Sequence, residues 1–204
     1  MVTAAREARR CDRRDAILDV ARECFIAEGY GATSMSTIAA RLGGSKGTLY
    51  NYFKSKEELF DAFVRRSCAG LQGQLDELPE GGDLREALVR MAENYLAFLL
   101  SPEAIAVHRL VVGEGERFPE LARLFYEAGP KIGNAQHADR FQRMMQSGLL
   151  RRCDPVVAAH QFKSLALSGV YFLRLWGVID DPSPEERSRH AQAAVDTFLR
   201  AYAA

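Results

Sequence analysis

Between residues 45 and 53 the chain reads Ser-Lys-Gly-Thr-Leu-Tyr-Asn-Tyr-Phe, and this stretch gathers side chains suited to meeting a polyanion. Lys46 offers a cation, Ser45 and Thr48 small hydroxyls, Tyr50 and Tyr52 phenols and Asn51 an amide. Gly47 leaves the backbone open to close approach, and no carboxylate interrupts the set. On the first turn of a helix, such donors suit a groove walled by phosphates, because the exposed backbone N–H groups there also favour negative charge. Leu49 and Phe53, one turn apart, supply an inward side.

Positioning that surface requires a second helix just before it. Met35, Ile38, Ala39 and Leu42 recur at the i, i+3, i+4, i+7 spacing of one helical face, with Thr33 or Ser34 placed to cap its first turn. Gly43 can supply the left-handed residue that ends this helix, and Ser45 can cap the next one. Two short helices joined by a glycine-containing turn form the outline of a helix-turn-helix, although any globular protein can contain a helical hairpin of this kind.

The run SMSTIAARLGGSKGTLYNYFKSKEELF, from Ser34 to Phe60, resembles the N-terminal DNA-binding domain of TetR-family transcriptional regulators. The matched features are Ile38-Ala39, Ser45 to Tyr50, Tyr52-Phe53 and Lys54 to Leu59. Carried over by position, the resemblance implies that Lys46, Gly47 and Thr48 approach base edges of double-stranded DNA, with Asn51 a further reader. It implies that Tyr50, Tyr52, Lys56 and the Thr33/Ser34 cap hold phosphates, while packing roles for the two tyrosines stay open. Gly44 departs from the pattern, which places an apolar residue, often valine, in the turn. The segment Glu103 to Pro130 is similar to the C-terminal domain of the AefR-like branch of the same family. That resemblance implies a helical ligand chamber, a homodimer and, in most such proteins, repression relieved by a small molecule.

Charge agrees in sign with DNA contact. The 204-residue chain is neutral overall, yet residues 1–56 carry ten Lys+Arg against six Asp+Glu, and the remainder carries the opposite excess. No apolar run is long enough for a membrane span and the first residues are polar and arginine-rich, so the cytoplasm is the expected compartment. Cysteines at 11, 24, 68 and 153 form no close pair of the kind zinc or redox dithiols need, and read as reduced thiols. Cys24 continues the core stripe Ile17, Val20, Ala21, Cys24, Phe25. His108, His137, His160 and His190 fall on four different expected helices and read as structural. No G-x-S-x-G elbow and no phosphate-binding glycine loop is present, so the sequence gives no anchor for an enzyme, a cofactor or a metal.

The pattern predicts an all-α protein with helices over 12–28, 34–42, 45–53, 56–77, 83–100, 102–112, 118–128, 130–147, 155–177 and 184–203. Several boundaries rest on a capping residue followed by proline: Ser101-Pro102, Asp154-Pro155, Asp181-Pro182 and Ser183-Pro184. Residues 1–60 form the expected DNA-binding domain and 61–204 a ligand-binding and dimerisation domain. The helix from Lys56 would link them, with Gly70 and Gly73 serving either as a hinge or as close-packing positions. In the second domain Met91, Tyr95, Phe98, His108, Phe125, Tyr126, Phe141, Met144, Met145, Phe162 and Tyr171 combine bulk with a few polar tips, which suits either a small-molecule pocket or a core. The stretches 155–177 and 184–203 hold more apolar surface than one core-facing stripe needs, as a dimeric four-helix bundle would require. A twofold dimer would set two reader helices about 34–36 Å apart on a palindromic site. The alternatives are a helical small-molecule-binding protein with vestigial DNA binding, and an enzyme.

Overall fold

The computed structural model describes residues 2–72 and 83–204 and is all-α, with an isolated antiparallel bridge between Leu150 and Ala203. The chain divides into two compact units, Met1–Ser67 with Ala106–Ala128, and Cys68–Ile105 with Gly129–Ala204. Compactness therefore groups residues 106–128 with the N-terminal helices, whereas the sequence suggested one boundary at residue 60.

In the first unit, α1 (Val2–Glu28) begins well before residue 12. Its early residues are mainly Ala, Arg and Glu, strong helix formers with no breaker among them. Gly29, at φ 86°, ends it in the left-handed conformation that glycine adopts without strain. The helices α2 (Met35–Arg41), α3 (Lys46–Tyr50) and the near part of α4 (Lys56–Gln72) close on the inner side of α1. Their shared core includes Ile17, Leu18, Phe25, Ile38, Leu49, Phe60 and Phe63, all fully buried. Phe25 is its centre, with ring centroids 5.5 Å from Phe60 and 5.7 Å from Tyr30. This unit also contains the far part of α6 (Pro102–Glu114) and α7 (Pro119–Ala128). Phe118, between them, meets Tyr30 edge-on at 5.4 Å, and the Glu114 carboxylate accepts from the Gly31 N–H at 2.8 Å. A Cβ on Gly31 would lie 2.8 Å from the Phe118 ring, so a glycine is what lets the turn after α1 approach that ring.

The second unit is built from α5 (Leu84–Leu99), α8 (Pro130–Gln146), α9 (Pro155–Leu167), α10 (Val170–Trp176) and α11 (Pro184–Tyr202). Phe141, Phe162 and Phe198, one from each of α8, α9 and α11, meet at centroid separations of 5.2–5.4 Å in the middle of its core. The capping-residue-then-proline pattern starts α9 at Asp154-Pro155 and α11 at Ser183-Pro184, where Ser183 and Glu186 form a reciprocal capping box. Asp181-Pro182 starts no helix; the Asp181 carboxylate pairs with Arg187 instead. The single helix expected over 155–177 is two. Ser168 is extended at ψ 125° and Gly169 left-handed at φ 79°, so the axis breaks while the apolar sequence runs on. Gly70 lies within α4; Gly73 and the far end of the expected 56–77 helix lie outside the described residues. Among the described residues no single helix is long and apolar enough to cross a membrane, and no cluster of His, Cys, Asp or Glu is arranged to hold a metal ion.

Candidate nucleic-acid interface

The reader surface is assembled from two serine caps of the same design. Ser34 Oγ accepts from the Thr37 N–H at 3.1 Å to start α2, and Ser45 Oγ accepts from the Thr48 N–H at 3.1 Å to start α3. In each case the threonine hydroxyl also lies 2.9 Å from the serine hydroxyl, so the Ser-x-x-Thr spacing joins two side chains to one backbone donor. Between them α2 ends in a Schellman turn: the Gly43 N–H donates to Ala40 O and the Gly44 N–H to Ala39 O, with Gly43 at φ 64°. Gly44 occupies the position where an apolar side chain would ordinarily fold back onto the helix.

Leu49 is the buried residue of α3, and Phe53 just beyond is buried beneath the Arg14 guanidinium, 5.1 Å from its ring. Lys46, Gly47, Tyr50 and Asn51 are exposed, and Thr48 and Tyr52 half-buried. The helix is shorter than the expected 45–53, because Asn51 takes its C-terminal cap. Six of the ten sequence-selected positions are thus brought together on one short helix and its edge, and Ser34 and Ser45 are the exposed caps of α2 and α3. Two positions are placed differently from the rest. Thr33 is only 1% exposed, and its hydroxyl donates inward to Gly29 O at 2.7 Å, with Cys24 O at 3.1 Å, so Ser34 alone is the outward cap. Lys56 folds back: its Nζ donates to Tyr30 O at 2.8 Å and stands 4.1 Å above the Tyr30 ring. A carbonyl and an aromatic face thus hold the ammonium against its own unit. The Tyr30 phenol donates to Glu57 at 3.2 Å, and burial, with that carboxylate beside it, raises its pKa.

The residues selected as pocket or core divide between the two units. His108, Phe125 and Tyr126 belong to the first unit, where His108 and Phe125 meet edge-on at 5.2 Å and Tyr126 is 50% exposed. Met91, Tyr95, Phe98, Phe141, Met144, Met145, Phe162 and Tyr171 belong to the second. Of these, Phe141 and Phe162 are core packing against Phe198.

This architecture has many counterparts. Residues 17–63 match the model of bacterial regulatory proteins of the tetR family, and residues 86–204 match the C-terminal domain of AefR-like transcriptional repressors. The chain belongs to the TetR family. It is similar to the solved flavonoid-responsive regulator FrrA, at 35% identity and TM-score 0.81 over 94% of this chain and 97% of that one. It is similar also to a TetR family transcriptional regulator from Pseudomonas syringae pv. tomato DC3000, at 29% identity and TM-score 0.75 over 94% and 97% of the two chains. A relative in Mycobacterium tuberculosis, the HTH-type transcriptional repressor Rv1474c, is 25% identical over 78% of this chain and 80% of its own. The protein is accordingly a TetR-family transcriptional regulator and not an enzyme.

In this TetR-family chain, the sequence reading missed two groups of polar residues. Glu114 meets the turn after α1 across 83 positions of sequence, a distance no local pattern reveals. In the second unit, His137, Lys163 and Asn134 gather around Tyr95. The one available signal there was the i, i+3 spacing of Asn134 and His137, two polar residues on the same side of a helix. The two stretches expected to carry the dimer surface differ in exposure. The large apolar residues of α11 (Val195, Phe198 and Tyr202) are buried within the protomer. The exposed ones are Val156 and Val157 at the start of α9 and Phe172, Leu173 and Trp176 on α10, with Trp176 70% exposed.

Proposed function

We propose that this TetR-family regulator is a repressor that binds a palindromic operator as a homodimer and releases it when a small molecule binds the C-terminal body. The observation that carries the DNA half is the outer face of α3, where Lys46, Gly47, Tyr50 and Asn51 are exposed around a single buried leucine, with the cap of Ser45 organising the first turn. Lys46, Gly47 and Thr48 stand where base edges would be read, with Asn51 a further reader, and Tyr50, Tyr52 and the Ser34 cap meet phosphates. Homodimerisation is supported by the exposed Phe172, Leu173 and Trp176 on α10, an apolar face larger than scattered surface residues provide. Effector control is supported by FrrA, the flavonoid-responsive neighbour at 35% identity. Release requires only that the effector prefer a conformer whose two reader helices no longer match groove spacing.

Selection of DNA from a random pool with the purified protein, followed by a metabolite screen for release, tests the reading. Recovery of an inverted repeat is expected; recovery of no sequence preference at physiological salt would defeat it. Two variants assign roles on the recovered operator. Tyr50→Phe, which removes a phosphate-holding hydroxyl, weakens binding to every sequence alike, whereas Thr48→Ala changes the preference among sequences. Equal loss on all sequences for Thr48→Ala contradicts its place at a base edge.

A further inference from the structure

The imidazole of His137 is 2% exposed, and its Nδ1 stands 2.6 Å from Gly133 O, one turn earlier on α8. A carbonyl oxygen only accepts, so Nδ1 carries the proton and Nε2 is the acceptor nitrogen. That Nε2 is buried and meets no hydrogen-bond donor of the chain among the described residues. Burial, with Lys163 and Arg140 nearby, lowers the His137 pKa to about 4, so the ring stays neutral and the lone pair stays open at neutral pH. A buried acceptor of this kind is costly unless something donates to it.

Lys163 of α9 presents the complementary deficiency. Its Nζ donates to Asn134 Oδ1 and stands 5.3 Å from the centre of the Tyr95 ring, whose other neighbour is His137 with ring centroids 5.6 Å apart. Both Lys163 partners are uncharged. A half-buried ammonium without a carboxylate has acceptor demand left over, and burial accordingly lowers its pKa to about 8. The α8 and α9 faces around Tyr95 thus offer one acceptor without a donor and one cation without an anion.

A carboxylate would satisfy Lys163 but present nothing to an unprotonated Nε2. An amine or amide donor would satisfy His137 but give the ammonium no anionic oxygen. A weakly acidic hydroxyl does both, since it donates its proton and its oxygen carries the partial charge that an ammonium seeks. We infer that the second unit takes a ligand of the phenol class, whose hydroxyl donates to His137 Nε2 and whose oxygen accepts from Lys163 Nζ. The inference deepens the effector half of the function proposed above and rests on that reading for its biological role, but the binding chemistry is testable without DNA.

Full-length protein labelled with 15N at histidine is titrated with phenol, with anisole, which lacks the donor hydroxyl, and with benzoate, which carries a charge but no donor. Phenol at millimolar concentration is expected to shift the acceptor-nitrogen resonance of His137 and to raise the unfolding midpoint, and anisole and benzoate to do neither. Lys163→Met is expected to weaken phenol binding about tenfold or more, the loss of one charge-assisted hydrogen bond. Lys163→Arg is expected to keep most of the affinity. Its unfolding midpoint separates a folded variant from a failed one. An unmoved His137 signal with phenol, an equal response to anisole, or a response to benzoate alone would each overturn the inference. Should the wild-type protein select no operator, the DNA reading falls while the titration still reports on this site. An operator selected by a protein blind to phenol sinks the inference alone.

Discussion

The two units treat their buried polar groups in opposite ways. In the first, Thr33 spends its hydroxyl on Gly29 O, with Cys24 O in range, Lys56 rests on a carbonyl and an aromatic face, and the Tyr30 phenol reaches Glu57. In the second, His137 keeps an acceptor that no donor of the described chain answers, and burial lowers the pKa of the Lys163 ammonium beside the Tyr95 ring. Polar groups that hold a fold together are saturated by the chain itself, because an open one costs stability continuously. Groups left open are better explained by something outside the chain. Lys56 and Lys163 each have one uncharged oxygen partner and one aromatic face; what marks Lys163 is burial, which lowers its pKa to about 8.

Acid gives the largest test of this contrast. The folded His137 pKa lies near 4, against an ordinary value of 6.5 in the unfolded chain. As pH falls through that window the unfolded chain binds a proton that the native chain refuses, so stability declines from about pH 6.5 and the loss is complete below about 4. The size is on the order of 3 kcal/mol. His108, whose pKa burial also lowers, adds in the same direction. Urea unfolding at pH 7, 5.5 and 4.5 should show the decline, and His137→Leu should flatten it. A wild-type stability that holds level across the window would mean that His137 is protonated in place, and the open-acceptor account would fail.

Next in size is a matched pair of substitutions. Lys56→Met removes the cap on Tyr30 O and the cation above the ring, and should cost about 1–3 kcal/mol. Lys163→Met removes an ammonium whose folded pKa is lowered to about 8 from an ordinary 10.5. A lysine with a lowered folded pKa loses stability as pH falls from the unfolded value towards the folded one, so at neutral pH the whole cost is already present. Its replacement by a thioether of similar length should leave stability unchanged or raise it by about 1–3 kcal/mol. Denaturant midpoints at pH 7 decide the matter, and equal losses for the two variants would erase the contrast between the units.

What the sequence made legible follows the same division between local and distant causes. The caps at Ser34, Ser45, Asp154 and Ser183 and the buried stripe of α2 were readable because each is fixed within four residues of itself. Which of Thr33 and Ser34 caps α2 was not, since both have hydroxyls and only the tertiary position of Gly29 O and Cys24 O draws Thr33 inward. The early start of α1 escaped because nothing stops a run of strong helix formers and no capping signal marks its beginning. The break at Ser168-Gly169 escaped because the apolar pattern continues across it, and a glycine inside a helix is read as tolerated until its φ is known. Lys56 and Lys163 could be assigned only from partners 26 and 29 residues away.

The smallest effect falls within the reader unit, where two adjacent glycines invite opposite outcomes. Gly43 sits at φ 64°, in open space, so its cost on substitution is purely that of the left-handed backbone; Gly43→Ala should destabilise by about 1 kcal/mol. Gly44 has no such φ, and the nearest atom to an added Cβ is the tip of Arg13 at 3.3 Å, the mobile end of a long side chain. Gly44→Ala therefore strains nothing, narrows the unfolded ensemble and should stabilise by about 0.4–1 kcal/mol. Thermal unfolding of the two variants reads both signs. If Gly44→Ala also destabilises, then Arg13 cannot yield. The glycine where related readers usually carry an apolar residue would then be explained by the crossing of α1 over the turn, and not by a turn left looser than it needs to be.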